Sequence, residues 1–370
     1  MISLNRPYDV PKTDIGKPHV WETRSLEITY SSREGLNKIY RYLYQKRGSL
    51  CVAVSPLTCF IAIYPIVANG HTPVFVDIDP HTLNMSEEAL MQHENIQAVQ
   101  TIYLGGNPMR MDKVMTWAQK QGIVVIEDCA QALGARWGEQ EVGTFGDYAV
   151  ASAVKNMYAV AGGLVVGELG ETADDLRAVS KTVMVYKRVK RWLESRAGAR
   201  KTNIWNLLYG GLLKIKDTRE NTFSNTIHLV PKNVEQEIQE ALGHIDEIQA
   251  MRMRNAERLI RQIDTEKYVV QQVPEGGEST RNRVIVVAKN RNAKEVIKAL
   301  RTRGISANNL TQSYTHPYQE HVQTDAMLGQ YYTERQEHYE QIFPHVVSVP
   351  CSPALKDEEI DYIVKELNAI

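Results

Sequence analysis

"IVVIEDCA", residues 123–130, is a short β-branched run that ends in two carboxylates and a small thiol. It reads as a strand, and because side chains alternate along a strand, Glu127 and Asp128 point to opposite sides. Outward from it the same grammar repeats. Upstream lie "REGLNKIYRYLYQK" (helix, with Ser31 and Ser32 as N-cap candidates), "SLCVAV" (strand) and "TCFIAIYPIVANG" (helix stopped by Gly70). "TPVFVDID" (strand), "SEEALMQHE" (helix), "IQAVQTIYL" (strand) and "MDKVMTWAQKQG" (helix) follow, and "YAVASAVK" is the strand beyond. Strands separated by helices imply crossover connections, so the expected fold is α/β, with a mainly parallel central sheet in a large domain. Ligands in such sheets sit at the carboxyl ends of the strands, which is where Asp128 lies.

A second unit begins near residue 246. "VEQEIQEALGHIDEIQAMRMRNAERLIRQI" is one long helical pattern bridging the two units, and "RNRVIVVAK", "NAKEVIKALRTRG", "VVSVP" and "KDEEIDYIVKELNAI" alternate strand and helix after it. The division expected is a large domain over 1–245 and a small C-terminal α/β domain over 246–370, as suits a chain of 370 residues.

Forty-three basic against 44 acidic residues leave a net charge of −1, which gives no global field for nucleic acid. Cys51, Cys59, Cys129 and Cys351 are far apart with no C-x-x-C spacing, against both a zinc site and a secreted disulfide framework. "MISLNRPYDVPKTDIGK" lacks the layout of a signal peptide, and "SLCVAVSPLTCFIAIYPIVANG" is interrupted by Pro56, Pro65 and hydroxyls, so a cytoplasmic, soluble protein is expected.

"ASAVKNMYAVAGGLVV", residues 151–166, holds a single cation, Lys155. Lysine is rarely buried without a partner, and an unpaired buried ammonium has its pKa driven down. Lys155 is therefore either a surface residue at a strand end or an amine kept reactive. Asp128 is likewise either a cap for a "CAQAL" helix, with Gln131 on that helix's surface, or a ligand. An amine able to form a Schiff base and a carboxylate able to pair with a pyridinium nitrogen are the minimum equipment for pyridoxal phosphate chemistry. "YSSREGL" adds a helix start for a phosphate, with two hydroxyls and Arg33.

The chain resembles the pyridoxal phosphate-dependent sugar aminotransferases of the DegT/DnrJ/StrS family, fold type I. "SSREGL" is similar to the S-G-T-x-A-L phosphate loop, "GHTPVFVDIDPHTLNMSEEAL" to a G-x-x-P-V-F-V-D-I-D stretch, and "GGNPMRMD" to G-x-P-A-x-M-D. "IEDCAQALGARWGEQEVGTFGDYAV" is similar to E-D-x-A-Q-x-x-G-A followed by G-x-F-G-D, and "KNMYAVAGGLVV" to the lysine segment. "SVPCSPALKDEEIDYIV" resembles the C-terminal L-P-x-x-P-x-L. The resemblance implies that Lys155 is the Schiff-base lysine, Asp128 the partner of the pyridine nitrogen and Gln131 the partner of the ring's phenolic oxygen. It places Ser32 and Arg33 in the phosphate loop, mainly through backbone groups. The cofactor implied is pyridoxal 5'-phosphate, alternating with pyridoxamine phosphate.

Several segments depart from the family pattern. The lysine segment is short and reads Ser152-Ala153-Val154-Lys155, so Ser152 either reaches the phosphate or is a plain strand serine. Where an aromatic ring usually stacks on the cofactor, "SPLTCF" offers Cys59 or Phe60. Residues 177–222 are longer and more basic than usual. "KTVMVYKRVKRWLESRAGARK" carries eight Lys/Arg and one Glu, either a solvated helix plus a hairpin covering the site or a dimer contact, or an interfacial patch (181–216) for a lipid-linked or phosphorylated substrate. Asn225 faintly echoes the Asn-x-Arg element that reaches a neighbouring subunit's phosphate, without its arginine. Tyr314 and His316 fall where the small domain approaches substrate.

The leading expectation is an aminotransferase that moves an amino group from an amino acid such as glutamate to a keto-sugar, free or nucleotide-linked, as a homodimer. A cofactor-dependent sugar dehydratase is the alternative, disfavoured because family members of that kind replace the lysine with histidine. A non-catalytic binding or regulatory protein on the same fold is a third. A Rossmann dehydrogenase, a nucleophile-elbow hydrolase and a P-loop enzyme lack their motifs here.

Overall fold

The computed structural model describes residues 2, 19–170, 176–179, 181–196, 226–310 and 327–370. Seven strands form the main sheet: β1 (Leu26–Thr29), β2 (Cys51–Val54), β3 (Thr72–Phe75), β4 (Ala98–Ile102), β5 (Val124–Cys129), β6 (Tyr148–Ser152) and β7 (Gly163–Val166). Their order is β1-β7-β6-β5-β4-β2-β3. The pairs from β6 through β3 are parallel, and β7 runs against both its neighbours.

Period-two alternation sends each strand's residues to two separate cores. On one face Val52, Val54, Val124, Ile126 and Val150 pack with Leu36, Ile39 and Tyr40 of α1 (Ser32–Arg47) and with Phe60, Ile63 and Ile66 of α2 (Phe60–Ala68). On the other, Ala53, Val99, Val125, Cys129 and Ala151 pack with Trp21. That face is closed by helices too: α3 (Glu87–Gln92) contributes Leu90, and α4 (Met111–Gln121) contributes Met111, Val114 and Ala118. Glu127 follows Val125 to the second face and Asp128 follows Ile126 to the first, as the alternation requires.

Two expectations from periodicity are corrected locally. "YAVASAVK" is not strand throughout: β6 ends at Ser152, whose hydroxyl accepts from the Lys155 N–H, and Ala153–Asn156 forms a one-turn helix, α5. A serine that caps a turn stops the strand there. "CAQAL" makes a turn rather than a helix, because Asp128 accepts from the near Ala130 N–H at 3.0 Å instead of capping a longer run.

Beyond β7, α6 (Lys181–Arg196) lies against the start of α1, with the Lys187 ammonium 4.3 Å from the centre of the Tyr30 ring. Val185 on this helix is 60% exposed, and the hairpin expected after it falls outside the described residues. Among the described residues no helix is long and apolar enough to cross a membrane.

The long helical pattern after residue 232 is interrupted. α7 (Lys232–Leu242) ends at Gly243, His244 is non-helical, and α8 (Ile245–Ile260) starts again. Glycine's low helix propensity at the junction accounts for the break. A third core, with residues from 256 to 370, surrounds the antiparallel strands β8 (Tyr268–Val270), β9 (Val284–Ala288) and β10 (Val346–Val349). Its helices are α9 (Ala293–Thr302) and α11 (Asp357–Asn368), while α10 (Glu337–Ile342) is drawn towards the main sheet by Asp77, whose carboxylate accepts from the His338 and Tyr339 N–H groups at 2.9 Å. A fourth cluster joins the two parts, with Leu57, Ile78 and Leu104 against Ile285, Tyr339 and Phe343.

Candidate active site

The two carboxylates that close β5 live in different surroundings. Glu127 is fully buried and accepts four hydrogen bonds, from the Tyr103 hydroxyl at 2.5 Å and from the N–H groups of Gly143 (2.7 Å), Phe145 (2.8 Å) and Gly146 (2.7 Å). Burial pushes its pKa up and the four donors pull it back. It ties the 143–146 loop to the sheet and is a structural anchor. Asp128, 4% exposed, accepts only from Ala130 N among the described residues. Burial raises its pKa, while that N–H and the charge of Lys155 lower it.

Lys155 is half-buried on α5, at the end of the strand beside β5. Desolvation drives its pKa below the ordinary lysine range; the Cys59 thiol opposes that shift, Arg283 adds to it and Asp128 opposes it. The structure therefore brings Lys155, Asp128 and Cys59 into one electrostatic neighbourhood. Cys59 sits half-buried at the N-cap of α2. Phe60, the other candidate for the ring-stacking position, turns into the core, its ring 5.7 Å from Tyr64.

Gln131 is half-buried, and its side-chain oxygen accepts from the Gly105 N–H at 3.3 Å. Ser152 is 7% exposed and caps α5. At the other end of the neighbourhood Ser31 caps α1 by accepting from Glu34 N at 3.3 Å, and Ser32 and Arg33 open the helix. The two helix starts meet through Gly162: its N–H donates to Tyr30 O at 2.9 Å and its carbonyl accepts from Ala153 N at 3.1 Å. The next residue must also be glycine, because a Cβ on Gly163 would lie 2.3 Å from Ser32 N. Asn225, Tyr314 and His316 lie outside the described residues.

Sequence reasoning missed the polar residues that arrive from the C-terminal part. Asn282 Nδ2 donates to the Lys155 carbonyl at 3.0 Å, Thr280 Oγ1 to the Gln131 carbonyl at 3.4 Å, and Arg283 N to the Gly105 carbonyl at 3.3 Å. The fully buried Arg252 of α8 donates through Nη2 to Asn156 O at 2.9 Å and to the Tyr158 hydroxyl at 3.2 Å, bracing the residue after Lys155. The run "STRNR", 279–283, is polar and lies just before a strand, which is no sign of a site by itself. Thr58, 3% exposed, keeps its hydroxyl buried with no partner among the described residues. Among those residues no cluster of His, Cys, Asp and Glu is placed to hold a metal ion.

The chain is similar to the spore coat polysaccharide biosynthesis protein SpsC of Bacillus subtilis strain 168, with 35% identity over 133 residues, 35% of this chain and 34% of that protein. It is similar to a UDP-N-acetyl-3-dehydro-alpha-D-glucosamine 3-aminotransferase of Acidithiobacillus ferrooxidans, with 40% identity over 134 residues, 34% of this chain and 36% of that protein. These matches span about a third of the curated relatives' length. The fold is that of the sugar aminotransferase CalS13 from Micromonospora echinospora, with a TM-score of 0.69 over 100% of both chains at 18% identity. The sequence model of one family matches residues 33–208 and 238–368, which include Lys155, Asp128 and the small C-terminal sheet alike. The chain belongs to the DegT/DnrJ/EryC1/StrS aminotransferase family.

Proposed function

We propose that this protein is a pyridoxal 5'-phosphate-dependent aminotransferase that takes an amino group from an amino acid, glutamate foremost, and delivers it to a keto-sugar. The observation that carries the reading is the placing of a half-buried amine, Lys155, in the electrostatic neighbourhood of a buried carboxylate, Asp128, just past and at the ends of two adjacent parallel strands. Family membership and the aminotransferase relative support it. A nucleotide-linked sugar, a homodimer, a cytoplasmic location and a division into domains at residue 245 belong to the same proposal.

The residues present suit that cofactor. Gly163 lets the backbone of Ser31 and Ser32 at the start of α1 come closer than any Cβ would allow, which brings that helix start to the strand next to β6, and both Thr58 Oγ1 and Arg33 Nε are buried without a partner among the described residues. Bound there, pyridoxal phosphate supplies an aldehyde that exchanges amines and a ring that takes up an electron pair. Lys155 would hold the aldehyde carbon, Asp128 the ring nitrogen, Gln131 the phenolic oxygen, and Ser32, Arg33 and Ser152 the phosphate. Cys59 would lie against the ring.

Burial keeps the Lys155 amine neutral over a wider range of pH, so its lone pair is free for a carbonyl carbon or a proton. As a base it can accept a proton from a substrate carbon and hand it back two bonds away. Asp128 would hold a positive charge on the ring nitrogen when the cofactor is bound, and the face of the sheet that carries it packs Val124, Ile126 and Val150 into a buried core.

A visible absorption scan tests the reading. Protein mixed with pyridoxal phosphate is expected to turn yellow, to bleach on addition of glutamate, and to lose the yellow band in Lys155→Ala. A colourless wild type, or equal colour in Lys155→Ala, would overturn it. A panel of free and nucleotide-linked keto-sugars with glutamate then identifies the acceptor.

A further inference from the structure

We propose that the outer stripe of α6 docks on an anionic membrane surface, its basic side chains against phospholipid headgroups and its exposed aliphatic side chain at the acyl boundary. Such docking is separate from the aminotransferase chemistry and needs neither cofactor nor keto-sugar. α6 concentrates charge that the chain as a whole lacks: Lys181–Arg196 carries six Lys/Arg and one Glu, against a net charge of −1 over 370 residues.

Part of the helix is used up in holding it to the body of the protein. The Tyr30 hydroxyl donates to Met184 Sδ at 3.7 Å, the Lys187 ammonium sits over the Tyr30 ring, and Arg191 pairs with Glu237. Lys181, Val185 and Arg188, spaced i, i+4 and i+7, form a second stripe, and all three are exposed. Neither Lys181 nor Arg188 forms an ion pair among the described residues. The spacing continues at positions 192 and 196, a tryptophan and an arginine in the sequence.

Val185, at 60%, and Leu229, at 51%, are the two most exposed large apolar side chains among the described residues. Their elements meet at Tyr30. Leu229 ends one strand of a small parallel pair, Leu176–Ala178 and Ile227–Leu229, and the ring of His228 in that strand lies 5.5 Å from the Tyr30 ring that α6 grips. Arg177, opposite His228 in the pair, is exposed as well. Beyond α6 the sequence runs through "IWNLLYGGLLKIK", 204–216, where apolar and aromatic residues end in lysines, a composition suited to the same interface.

A bilayer with anionic lipids accommodates both kinds of side chain at once, because the negative surface draws Lys and Arg while the headgroup boundary takes up aliphatic area. Nucleic acid offers phosphates but no apolar layer for Val185 and Leu229. An isologous contact with a second copy would lay the basic stripe against itself.

Sedimentation of the full chain with vesicles tests this docking, one set of phosphatidylcholine alone and one with about 30% phosphatidylglycerol, the anionic lipid. Wild type is expected to bind the anionic set only, and less as salt is raised. Lys181→Gln/Arg188→Gln and Val185→Asp are each expected to weaken that binding about tenfold or more. Lys120→Gln/Lys289→Gln, which removes the same charge from exposed positions elsewhere, should bind as wild type does. No binding by wild type, equal binding to both vesicle sets, variants that bind like wild type, or equal weakening in the control pair would each overturn the proposal. Gel filtration and a duplex oligonucleotide complete the test. A change of oligomeric state in Lys181→Gln/Arg188→Gln would assign the stripe to a second copy of the chain, and binding of the duplex in place of vesicles would assign it to nucleic acid; either result defeats membrane docking and leaves the aminotransferase reading untouched.

Discussion

Asn282 and Lys155, 127 positions apart in the chain, are joined by a hydrogen bond of 3.0 Å from the Asn282 side-chain amide to the Lys155 carbonyl. The same amide nitrogen reaches Asn156 Oδ1 at 3.4 Å. A residue of the C-terminal part thus sets the one-turn helix on which the amine is mounted. Asn282→Ala should cost about 1 kcal/mol of stability, the worth of one such bond. It should also lower kcat about tenfold, since small displacements of a reacting group are costly. Thermal unfolding and steady-state kinetics with a keto-sugar acceptor check both parts. A lowered Tm with unchanged kcat would mean that the bond serves folding alone.

The proximity of Arg283 to Lys155 has a pH signature. Its positive charge helps to hold the Lys155 pKa down. Arg283→Gln removes that charge, so the amine should stay protonated to higher pH than in wild type. The rate at which pyridoxal phosphate produces the yellow band, which requires neutral amine, rises with pH through the Lys155 pKa. That rising limb should move to the alkaline side in Arg283→Gln, as stopped-flow absorbance across a pH series would show. A limb that stays in place, or moves to the acid side, contradicts the electrostatic account.

Glu127 and Asp128 are neighbours with opposite sensitivities. Glu127→Gln places an amide N–H₂ among four donors and should destabilise the fold by about 2 kcal/mol. Asp128→Asn removes a buried charge that has a single backbone donor among the described residues, so its stability should hold or rise while turnover falls about a hundredfold or more. Denaturant unfolding and turnover measured on both variants give the comparison. Equal loss of stability in the two would refute the division of labour.

Much of this was open to inspection in the chain itself. The β-branched runs between helical segments announced a mainly parallel sheet, and the paired carboxylates of "IVVIEDCA" had to face opposite ways once that run was a strand. The setting of Lys155 was less accessible. A Ser-x-x-Lys turn is too short to interrupt a β-branched pattern visibly, so the strand seemed to run on to Lys155 when it stops at Ser152. The break at Gly243 was hidden because the apolar spacing continues through it. Thr280, Asn282 and Arg283 were out of reach for a different reason: their partners are Gln131, Lys155 and Gly105, and no local pattern carries information over such separations.

The alternation at the end of β5 also makes the sheet intolerant of slippage. Were Val124–Cys129 to slide by a single position against β4 and β6, every side chain would change sides. Ile126, an apolar side chain, would then stand where Glu127 meets Tyr103 and the 143–146 amides, while the longer Glu127 would take the place of Asp128 and project towards the amine. A one-codon insertion in the turn at Gly122–Ile123 is therefore a more severe lesion than most substitutions in the strand, since it misdirects both acids at once.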